Sequence, residues 1–179
     1  MIDIKRIYSN DDNYSFVEKL LESSFPIDER RDNDLQKAYT DEKSNFNVNV
    51  ILLDGNIVGL INYWDLGEVY YIEHFAIDPL LRGNGIGEQT LKRINSILSN
   101  KPIILEAETP IDEMQKRRIN FYSRNEFQLY DIEYKQPPYR KDGGCIDMNI
   151  LTYNWCSKLD INQIINELYR QVYNYTKVF

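Results

Sequence analysis

Phe46, Val48, Val50 and Leu52 alternate with Asn47, Asn49 and Ile51, in the period of two that is typical of a β-strand. Asp54-Gly55 follows, and this dipeptide favours a hairpin turn because both positions tolerate a positive φ. The pattern predicts a returning strand over Ile57–Trp64 and a third strand over Glu68–Ile77. Together these strands form a meander. Short strands are also predicted at Ile2–Tyr8, Ile103–Glu108, Phe127–Tyr134 and Gly144–Thr152.

Elsewhere apolar residues recur every three or four positions, which predicts helices. A first helix should open near Asn10–Asp12 and end before Pro26, because the residue preceding a proline avoids helical geometry. A second helix with a thin apolar stripe is expected within Asp28–Glu42. The later helices should bury Leu91, Ile94, Ile97 and Leu98 after the third strand, Met114 and Phe121 within Asp112–Arg124, and an apolar stripe that follows the capping residue Asp160.

This order of elements predicts an α+β fold with an α/β mixed sheet. We expect a central, mostly antiparallel, twisted sheet of about six to seven strands, flanked by helices. A chain of 179 residues is long enough for one well-buried core. We therefore expect a single domain over residues 1–179, in which 160–179 is an added C-terminal helical extension.

Composition narrows the class of protein. A net charge of −7 argues against a nucleic-acid partner, which would require a basic face. No apolar run approaches the roughly 20 residues of a membrane span, and the N-terminus lacks the apolar core of a secretion signal, so we expect a cytoplasmic protein without a membrane partner. Cys145 and Cys156 lack metal or redox spacing and are expected to be reduced and packed. With one histidine, His74, we expect no metal site.

The segment Arg82-Gly83-Asn84-Gly85-Ile86-Gly87 lies between a predicted strand and a predicted helix. Glycines there let several N–H groups point to one spot, and the first turn of the helix adds donors and the positive end of its dipole. A diphosphate fits such a loop, and Arg82 can add a charge-assisted contact. No Walker-type Gly-Lys-Ser/Thr follows, and a dinucleotide fingerprint would follow the first strand of a βαβ unit rather than a meander. A glycine-rich connection without a ligand is the structural alternative.

The stretch Phe75–Gly87 resembles the acetyl-CoA-binding motif of the GNAT superfamily of N-acetyltransferases, from strand through helix. Phe121–Phe127 resembles the helix-to-strand motif of that superfamily, and Leu105–Glu108 resembles its fifth strand. The resemblance covers about 71–127 and implies a GNAT-like fold. It also implies acetyl-CoA (coenzyme A) as co-substrate, bound by Phe75, Ala76, Ile77, Arg82, Gly83, Asn84, Gly85, Ile86 and Gly87.

Two residues depart from the pattern of the superfamily. Glu126 stands where its members usually carry glycine, which would change the turn after Tyr122. Gln115 stands where many of them carry an asparagine that contacts the cofactor.

Acetyl transfer to an amine requires a base, because an ammonium with a pKa of about 10.4 is not nucleophilic at pH 7. A carboxylate, possibly acting through water, is the expected base. The two candidates are Glu73 and Glu106, and Glu106 matches a catalytic glutamate of some ribosomal-protein acetyltransferases of the superfamily. Tyr122 matches the tyrosine that serves as general acid in similar enzymes. The structural alternatives are a salt-bridged strand glutamate and a core aromatic residue.

Three further residues are expected to contact the acceptor. Tyr71 shares a strand face with Glu73, Glu108 shares a strand face with Glu106, and Glu29 lies in the charged segment where family members place a lid. No serine occupies a nucleophile-elbow pattern, which favours direct attack of the amine on the thioester.

The resulting expectation is an N-acetyltransferase that acts on a small-molecule or peptide amine, as a monomer or homodimer. A non-catalytic acyl-CoA-binding or regulatory protein of the same fold, and an interaction module using the C-terminal helix, are the alternatives.

Overall fold

The computed structural model describes residues 1–140 and 142–175 of the chain. The last four residues of the predicted extension 160–179 lie outside this range. The described residues form seven strands, namely β1 (Ile2–Arg6), β2 (Phe46–Leu53), β3 (Asn56–Asp65), β4 (Tyr70–Ile77), β5 (Ile103–Glu108), β6 (Gln128–Gln136) and β7 (Ile146–Tyr153). The helices are α1 (Tyr14–Ser24), α2 (Asn33–Glu42), α3 (Ile86–Ile97), α4 (Glu113–Arg124) and α5 (Ile161–Val172).

The strands form one seven-stranded mixed sheet in the order β1-β2-β3-β4-β5-β7-β6, and the predicted α+β fold is confirmed. The chain folds into two compact units. The first unit comprises Met1–Trp64 and Ile72–Ile97, and the second comprises Asp65–Tyr71 and the chain from Leu98 onward. The expectation of a single domain stays a prediction.

In the first unit, β1, β2 and β3 form an antiparallel meander with Ile4 opposite Ile51. The predicted hairpin turn is present, with φ of 49° at Asp54 and 86° at Gly55. Helix α3 packs on β1, and α2 packs on β2. Phe46 stacks on Trp64 in the core, with 4.5 Å between ring centroids.

In the second unit, β7 lies between β5 and β6 and is antiparallel to both. The register between β6 and β7 shifts between Tyr130 and Tyr134. Helix α4 packs against β5 and β6. The predicted apolar stripe of α5 is buried, and the Asp160 carboxylate accepts a hydrogen bond from the Asn162 N–H at 2.9 Å.

Some predicted core positions are wrong. Ile97 is the last residue of α3 and is 42% exposed, whereas Leu98, just beyond the helix, is buried. Met114 is 69% exposed, because α4 buries its stripe only near its C-terminal end, at Tyr122. Cys145 and Cys156 are free, as expected, but both are exposed rather than packed. Within the described ranges, no helix combines the length and apolar character that crossing a membrane would require.

Helix α4 ends in a Schellman motif, in which the chain reverses through a left-handed residue. The Glu126 N–H donates to the Ser123 carbonyl at 3.2 Å, and the Phe127 N–H donates to the Tyr122 carbonyl at 3.1 Å. Glu126 takes the left-handed position with φ of 69°, where glycine is usual. The rings of Tyr122 and Phe127 pack together at 5.7 Å. The departure at Glu126 therefore preserves the turn that glycine would make, at a cost in strain.

Replacing this residue, Glu126→Gly, should raise the free energy of unfolding by up to about 1 kcal/mol. Relief of left-handed strain, worth roughly 1–2 kcal/mol, exceeds the roughly 0.5–1 kcal/mol of extra backbone entropy that glycine loses on folding. Urea denaturation measures the difference. Glu126→Ala is the matched control, because it removes the carboxylate but keeps the strain. Equal stabilities of the two variants would contradict a strained Glu126.

Candidate functional site

The glycine loop begins directly after β4. The N–H of Asp78 donates to the Val58 carbonyl at 2.9 Å, and the Asp78 carboxylate accepts from the Leu80 N–H at 2.9 Å. A short 3₁₀ turn over Pro79–Leu81 then leads into the loop. Gly83 and Gly85 have φ of 82° and 73°, which is the left-handed region that favours glycine.

The loop presents main-chain donors on an exposed surface. The Gly85 carbonyl accepts the first helical hydrogen bond of α3, from the Gln89 N–H at 3.1 Å, so the N–H groups of Ile86 and Gly87 lie in the first turn and have no acceptor within the helix. Arg82–Gly85 are exposed, and a Cβ added at Gly83 would meet no atom within 4 Å. An open, donor-rich helix N-terminus of this kind fits a diphosphate.

Two side chains fix the shape of the loop. The Arg82 Nε donates to the Ile77 carbonyl at 3.0 Å, which holds the guanidinium beside the end of β4. The Asn84 side-chain amide donates to the Leu81 carbonyl at 3.1 Å. The arrangement of Arg82, Gly83, Asn84, Gly85, Ile86 and Gly87 is thus compatible with the expected coenzyme A contacts, which stay predictions.

Part of the β4 main chain is accessible. Glu73 as a residue is half-buried although its side chain has 0% exposure, so the exposed part is its main chain. Phe75 is also half-buried, whereas Ala76 and Ile77 are buried. Strand β3 comes so close to β4 that a Cβ at Gly59 would lie 2.4 Å from the Ala76 carbonyl oxygen. Glycine at position 59 therefore sets the path of β4 just before the loop.

Glu73 is the centre of a buried ion pair in the first unit. Its two carboxylate oxygens accept from the Arg31 guanidinium at 2.6 and 2.9 Å, and the two side chains are 0% and 1% exposed. The guanidinium lies over three aromatic rings, at 4.8 Å from Tyr39, 5.4 Å from Trp64 and 5.5 Å from Phe46. Burial alone would raise the pKa of Glu73, but the charge of Arg31 outweighs it and the pKa is lowered. This geometry argues against Glu73 as a proton acceptor.

His74 of β4 contacts Glu29, which lies in the charged segment before α2. Its Nε2 is 3.0 Å from the Glu29 carbonyl and therefore carries the proton that it donates. Burial lowers the pKa of His74, which favours the neutral ring, and Phe25 packs against it at 4.6 Å. The expected substrate contact of the Glu29 side chain stays a prediction, whereas its main chain is anchored. Arg31, two residues after Glu29, is also buried, and Glu73 balances its charge.

Glu106 lies in a different kind of cluster, within the second unit. Its Oε2 accepts three hydrogen bonds, from the Tyr71 hydroxyl at 2.8 Å, the Tyr173 hydroxyl at 2.6 Å and the Gln136 side-chain amide at 2.7 Å. Its Oε1 accepts from the Tyr134 hydroxyl. All four donors are neutral groups. We call Glu106 with Tyr71, Tyr134, Gln136 and Tyr173 the Glu106 cluster.

The pKa values in the Glu106 cluster are determined by burial of Glu106 among neutral hydrogen-bond donors. Burial raises the pKa of Glu106, the four hydrogen bonds oppose it, and the pKa stays above its ordinary value. Burial and the nearby Glu106 carboxylate also raise the pKa values of Tyr134 and Tyr173 well above 10. These two phenols therefore remain protonated donors near neutral pH, while Glu106 is a carboxylate that can gain and lose a proton.

The remaining candidates lie on β5 and α4. Glu108 forms an ion pair with Arg118 of α4. Tyr122 is buried against Phe121 and Phe127, and burial raises its pKa to about 12 although Arg118 opposes this. The Tyr122 hydroxyl is thus protonated at neutral pH. Gln115 closes a capping box, in which its side-chain oxygen accepts from the Asp112 N–H at 3.0 Å, so this side chain serves the start of α4.

Sequence reasoning missed four residues of these two clusters, namely Arg31, Tyr134, Gln136 and Tyr173. Strand β6 runs to Gln136, and its period of two places Tyr134 and Gln136 on one face, whereas the predicted strand ended at Tyr134 and left Gln136 out. Their pairing with Glu106 depends on β7 lying between β5 and β6, which no local pattern encodes.

A mixed seven-stranded sheet with a glycine loop between β4 and α3 is the architecture of a GNAT acetyltransferase. The model of the Acetyltransferase (GNAT) family matches residues 13–127, and the chain belongs to this family. A putative GNAT-family acetyltransferase from Bacteroides thetaiotaomicron is 40% identical with a TM-score of 0.92, over 97% of this chain and 99% of that one.

More distant solved structures share the fold alone. Naa50 from Arabidopsis thaliana, in complex with the bisubstrate analogue CoA-Ac-MVNAL, is 18% identical with a TM-score of 0.62, over 86% of this chain and 99% of that one. A GNAT-family acetyltransferase from Elizabethkingia anophelis with acetyl-CoA bound is 18% identical with a TM-score of 0.61, over 86% of this chain and 98% of that one. No curated protein matches the sequence.

Breaking the buried ion pair should be costly. We expect Glu73→Gln, and separately Arg31→Met, to lower the free energy of unfolding by about 3–5 kcal/mol. The first change leaves the buried Arg31 guanidinium without a counter-charge, and the second leaves the buried Glu73 carboxylate without one. The double variant Arg31→Met/Glu73→Leu should recover much of this loss. Glu113→Gln, in the exposed pair with Lys116, is the control and should change stability by less than about 1 kcal/mol.

The loss caused by Glu73→Gln should also depend on pH. The pKa of Glu73 is lowered in the folded state, so its ionisation stabilises the fold above the ordinary value near 4.5. That contribution disappears as the pH falls through the lowered pKa. Urea titrations of the two proteins should therefore converge at acid pH, and a constant difference down to that range would contradict the ion-pair assignment.

Proposed function

We propose that the protein is an N-acetyltransferase that moves an acetyl group from acetyl-CoA to a primary amine by direct attack. Membership of the GNAT family supports acyl transfer from acetyl-CoA in general. The observation that carries the finer proposal is the carboxylate of Glu106, held by four neutral donors with a pKa above its ordinary value. We further infer a cytoplasmic location, in keeping with two free thiols.

Acetyl-CoA would be held by main-chain groups. The N–H groups of the loop, with the Arg82 guanidinium, are suited to the diphosphate. The β4 segment Phe75–Ile77 is assigned to the pantetheine arm and the thioester carbonyl, by resemblance to the family. When bound, acetyl-CoA supplies the activated acetyl thioester.

We assign the base to Glu106 rather than Glu73. A base has to be ionised and yet able to take a proton near neutral pH, so a raised carboxyl pKa is favourable and a lowered one is not. The pKa of Glu106 is raised and that of Glu73 is lowered. Oε1 of Glu106 has one donor where Oε2 has three, so Oε1 has the capacity to take the proton of the amine, directly or through water.

We assign the general acid to Tyr122. Burial raises the pKa of Tyr122 to about 12, so its hydroxyl is protonated at neutral pH and can donate a hydrogen bond to the leaving sulfur as the thioester C–S bond breaks. Tyr71 and Glu108 remain proposed contacts of the acceptor. In the described structure both already have partners, Glu106 and Arg118 respectively.

Loop geometry makes coenzyme binding sensitive to a side chain at Gly85. Gly85→Val should weaken acetyl-CoA binding at least tenfold by calorimetry, because a β-branched residue resists φ of 73° and distorts the donors of the loop. Gly55→Val is the matched control: it imposes similar strain at φ of 86°, with open space around the Cβ, in a hairpin turn. Both variants should lose stability, but Gly55→Val should keep its affinity. Retained affinity in Gly85→Val would contradict the proposed loop contacts.

Thiol release from acetyl-CoA with a panel of primary amines tests the function itself. Glu106→Gln should lower kcat by about 10²–10⁴-fold, the usual contribution of a positioned base, whereas Glu133→Gln at an exposed position of β6 should not. In the wild type, kcat/KM should fall as the pH drops through the raised pKa of Glu106, because only the carboxylate accepts a proton.

Tyr122→Phe should lower kcat with little change in acetyl-CoA affinity.

Two outcomes would overturn this proposal. Binding of acetyl-CoA without thiol release for any amine would favour a non-catalytic acyl-CoA-binding protein. Full activity of Glu106→Gln would remove Glu106 from the mechanism.

A further inference from the structure

Tyr173 comes directly after α5, 67 residues beyond Glu106 in sequence. It is a buried residue, and its hydroxyl donates to Oε2 of Glu106 at 2.6 Å. The same hydroxyl is 3.1 Å from the Gln136 amide, which donates to it, and 3.2 Å from the Tyr71 hydroxyl. One side chain of the C-terminal segment thus touches three members of the Glu106 cluster.

The segment that carries Tyr173 is firmly docked. The Tyr169 hydroxyl donates to the Lys135 carbonyl of β6 at 2.6 Å, and the Tyr175 N–H donates to the Tyr169 carbonyl at 2.9 Å. The Tyr173 ring packs on Tyr139 with 4.8 Å between centroids, and Leu168 and Val172 are buried. Contacts on both sides of Tyr173 therefore fix the position of its hydroxyl.

The donors are divided unequally between the two oxygens of Glu106. Among the described residues, three donors, from β4, β6 and the C-terminal segment, converge on Oε2, and the Tyr134 hydroxyl alone reaches Oε1. A carboxylate oxygen has about two lone-pair sites, so Oε2 is fully occupied and Oε1 keeps one site. Rotation of the carboxylate would break three hydrogen bonds at once.

We propose that Tyr173 is a positioning residue for the acetyl transfer proposed above: with Tyr71 and Gln136 it pins Oε2, so that Oε1 is the atom of Glu106 that takes the proton. The C-terminal segment then completes the active site rather than merely covering the sheet. This inference rests on the proposed function of Glu106. It assigns the extension a role in setting the pH range of the reaction.

The titratable side chains near the Glu106 cluster have partners of their own. On β5 the next titratable residue of the same face is Glu108, whose charge is offset by Arg118 of α4. The residue of β7 opposite Glu106 is Ile150, which carries no titratable group. Tyr139 packs on Tyr173, and the Tyr169 hydroxyl bonds the Lys135 carbonyl rather than Glu106. The Lys135 side chain pairs with Asp147. Over residues 1–140 and 142–175, the side-chain hydrogen bonds to Glu106 come from the Glu106 cluster.

Tyr173→Phe removes one donor to the charged form of Glu106 without removing the ring. Because a hydrogen bond to a charged group favours ionisation, the acid limb of the pH profile of kcat/KM should move upward by about one pH unit. Tyr169→Phe is the matched control: it removes a hydroxyl of the same segment that bonds a main-chain carbonyl, and its acid limb should not move.

A readout independent of turnover separates this inference from the proposed function. The ¹³C NMR signal of the Glu106 carboxyl, assigned by its absence in Glu106→Gln, should titrate at higher pH in Tyr173→Phe than in wild type. An unchanged midpoint would overturn the role of Tyr173 even if Glu106→Gln is inactive. A shifted midpoint together with full activity of Glu106→Gln would instead uphold the contact and overturn the base assignment, and with it the catalytic role of Tyr173.

Should Tyr173→Phe fail to fold, 3-fluorotyrosine at position 173 keeps the inference testable. Fluorine makes the phenol a stronger donor and leaves the side chain close to its natural shape. The midpoint of Glu106 should then move downward, opposite in sign to the change in Tyr173→Phe. No movement, or an upward one, would overturn the proposal.

Discussion

Two strand carboxylates, those of Glu73 and Glu106, are buried away from water, and the side chains around each of them are arranged to compensate its charge. An uncompensated buried carboxylate costs several kcal/mol, so each requires partners that cannot easily leave. Glu73 is compensated by a full positive charge, the Arg31 guanidinium, which is itself enclosed by aromatic rings. Glu106 is compensated, within the part of the chain that the structure describes, by hydroxyl and amide dipoles.

The kind of partner determines what each carboxylate can do. A guanidinium that stays charged at every relevant pH holds Glu73 ionised, and the resulting pair is rigid, which suits an anchor for the segment before α2. Neutral donors stabilise the ionised form of Glu106 without cancelling its charge, so burial still raises the pKa. The same residue type therefore gives a structural ion pair in one cluster and a group suited to proton transfer in the other.

Most elements of the fold could be predicted from the sequence because their signals are local. The period of two in Phe46–Leu53 and the Asp54-Gly55 turn specify the hairpin, and the stripe from Ile161 to Val172 specifies α5. The loop Arg82–Gly87 was likewise readable from its glycines. The partners of Glu73 and Glu106 were not readable, because 42 residues separate Arg31 from Glu73 and 67 separate Glu106 from Tyr173. Such pairings follow from strand order and helix docking, to which no short pattern corresponds.

The segment matched by the family model contains only some of the residues that surround Glu106. The family model matches residues 13–127, which include the glycine loop, Glu106 and Tyr122. Tyr134, Gln136 and Tyr173 all lie beyond it, yet they supply three of the four donors to Glu106. Family membership therefore indicates the chemistry, while the proton affinity of the proposed base depends on the C-terminal part of this chain. Relatives that share only the matched segment need not share its pH dependence. The Bacteroides thetaiotaomicron protein, aligned over 97% of this chain, is a protein in which the same donors can be sought.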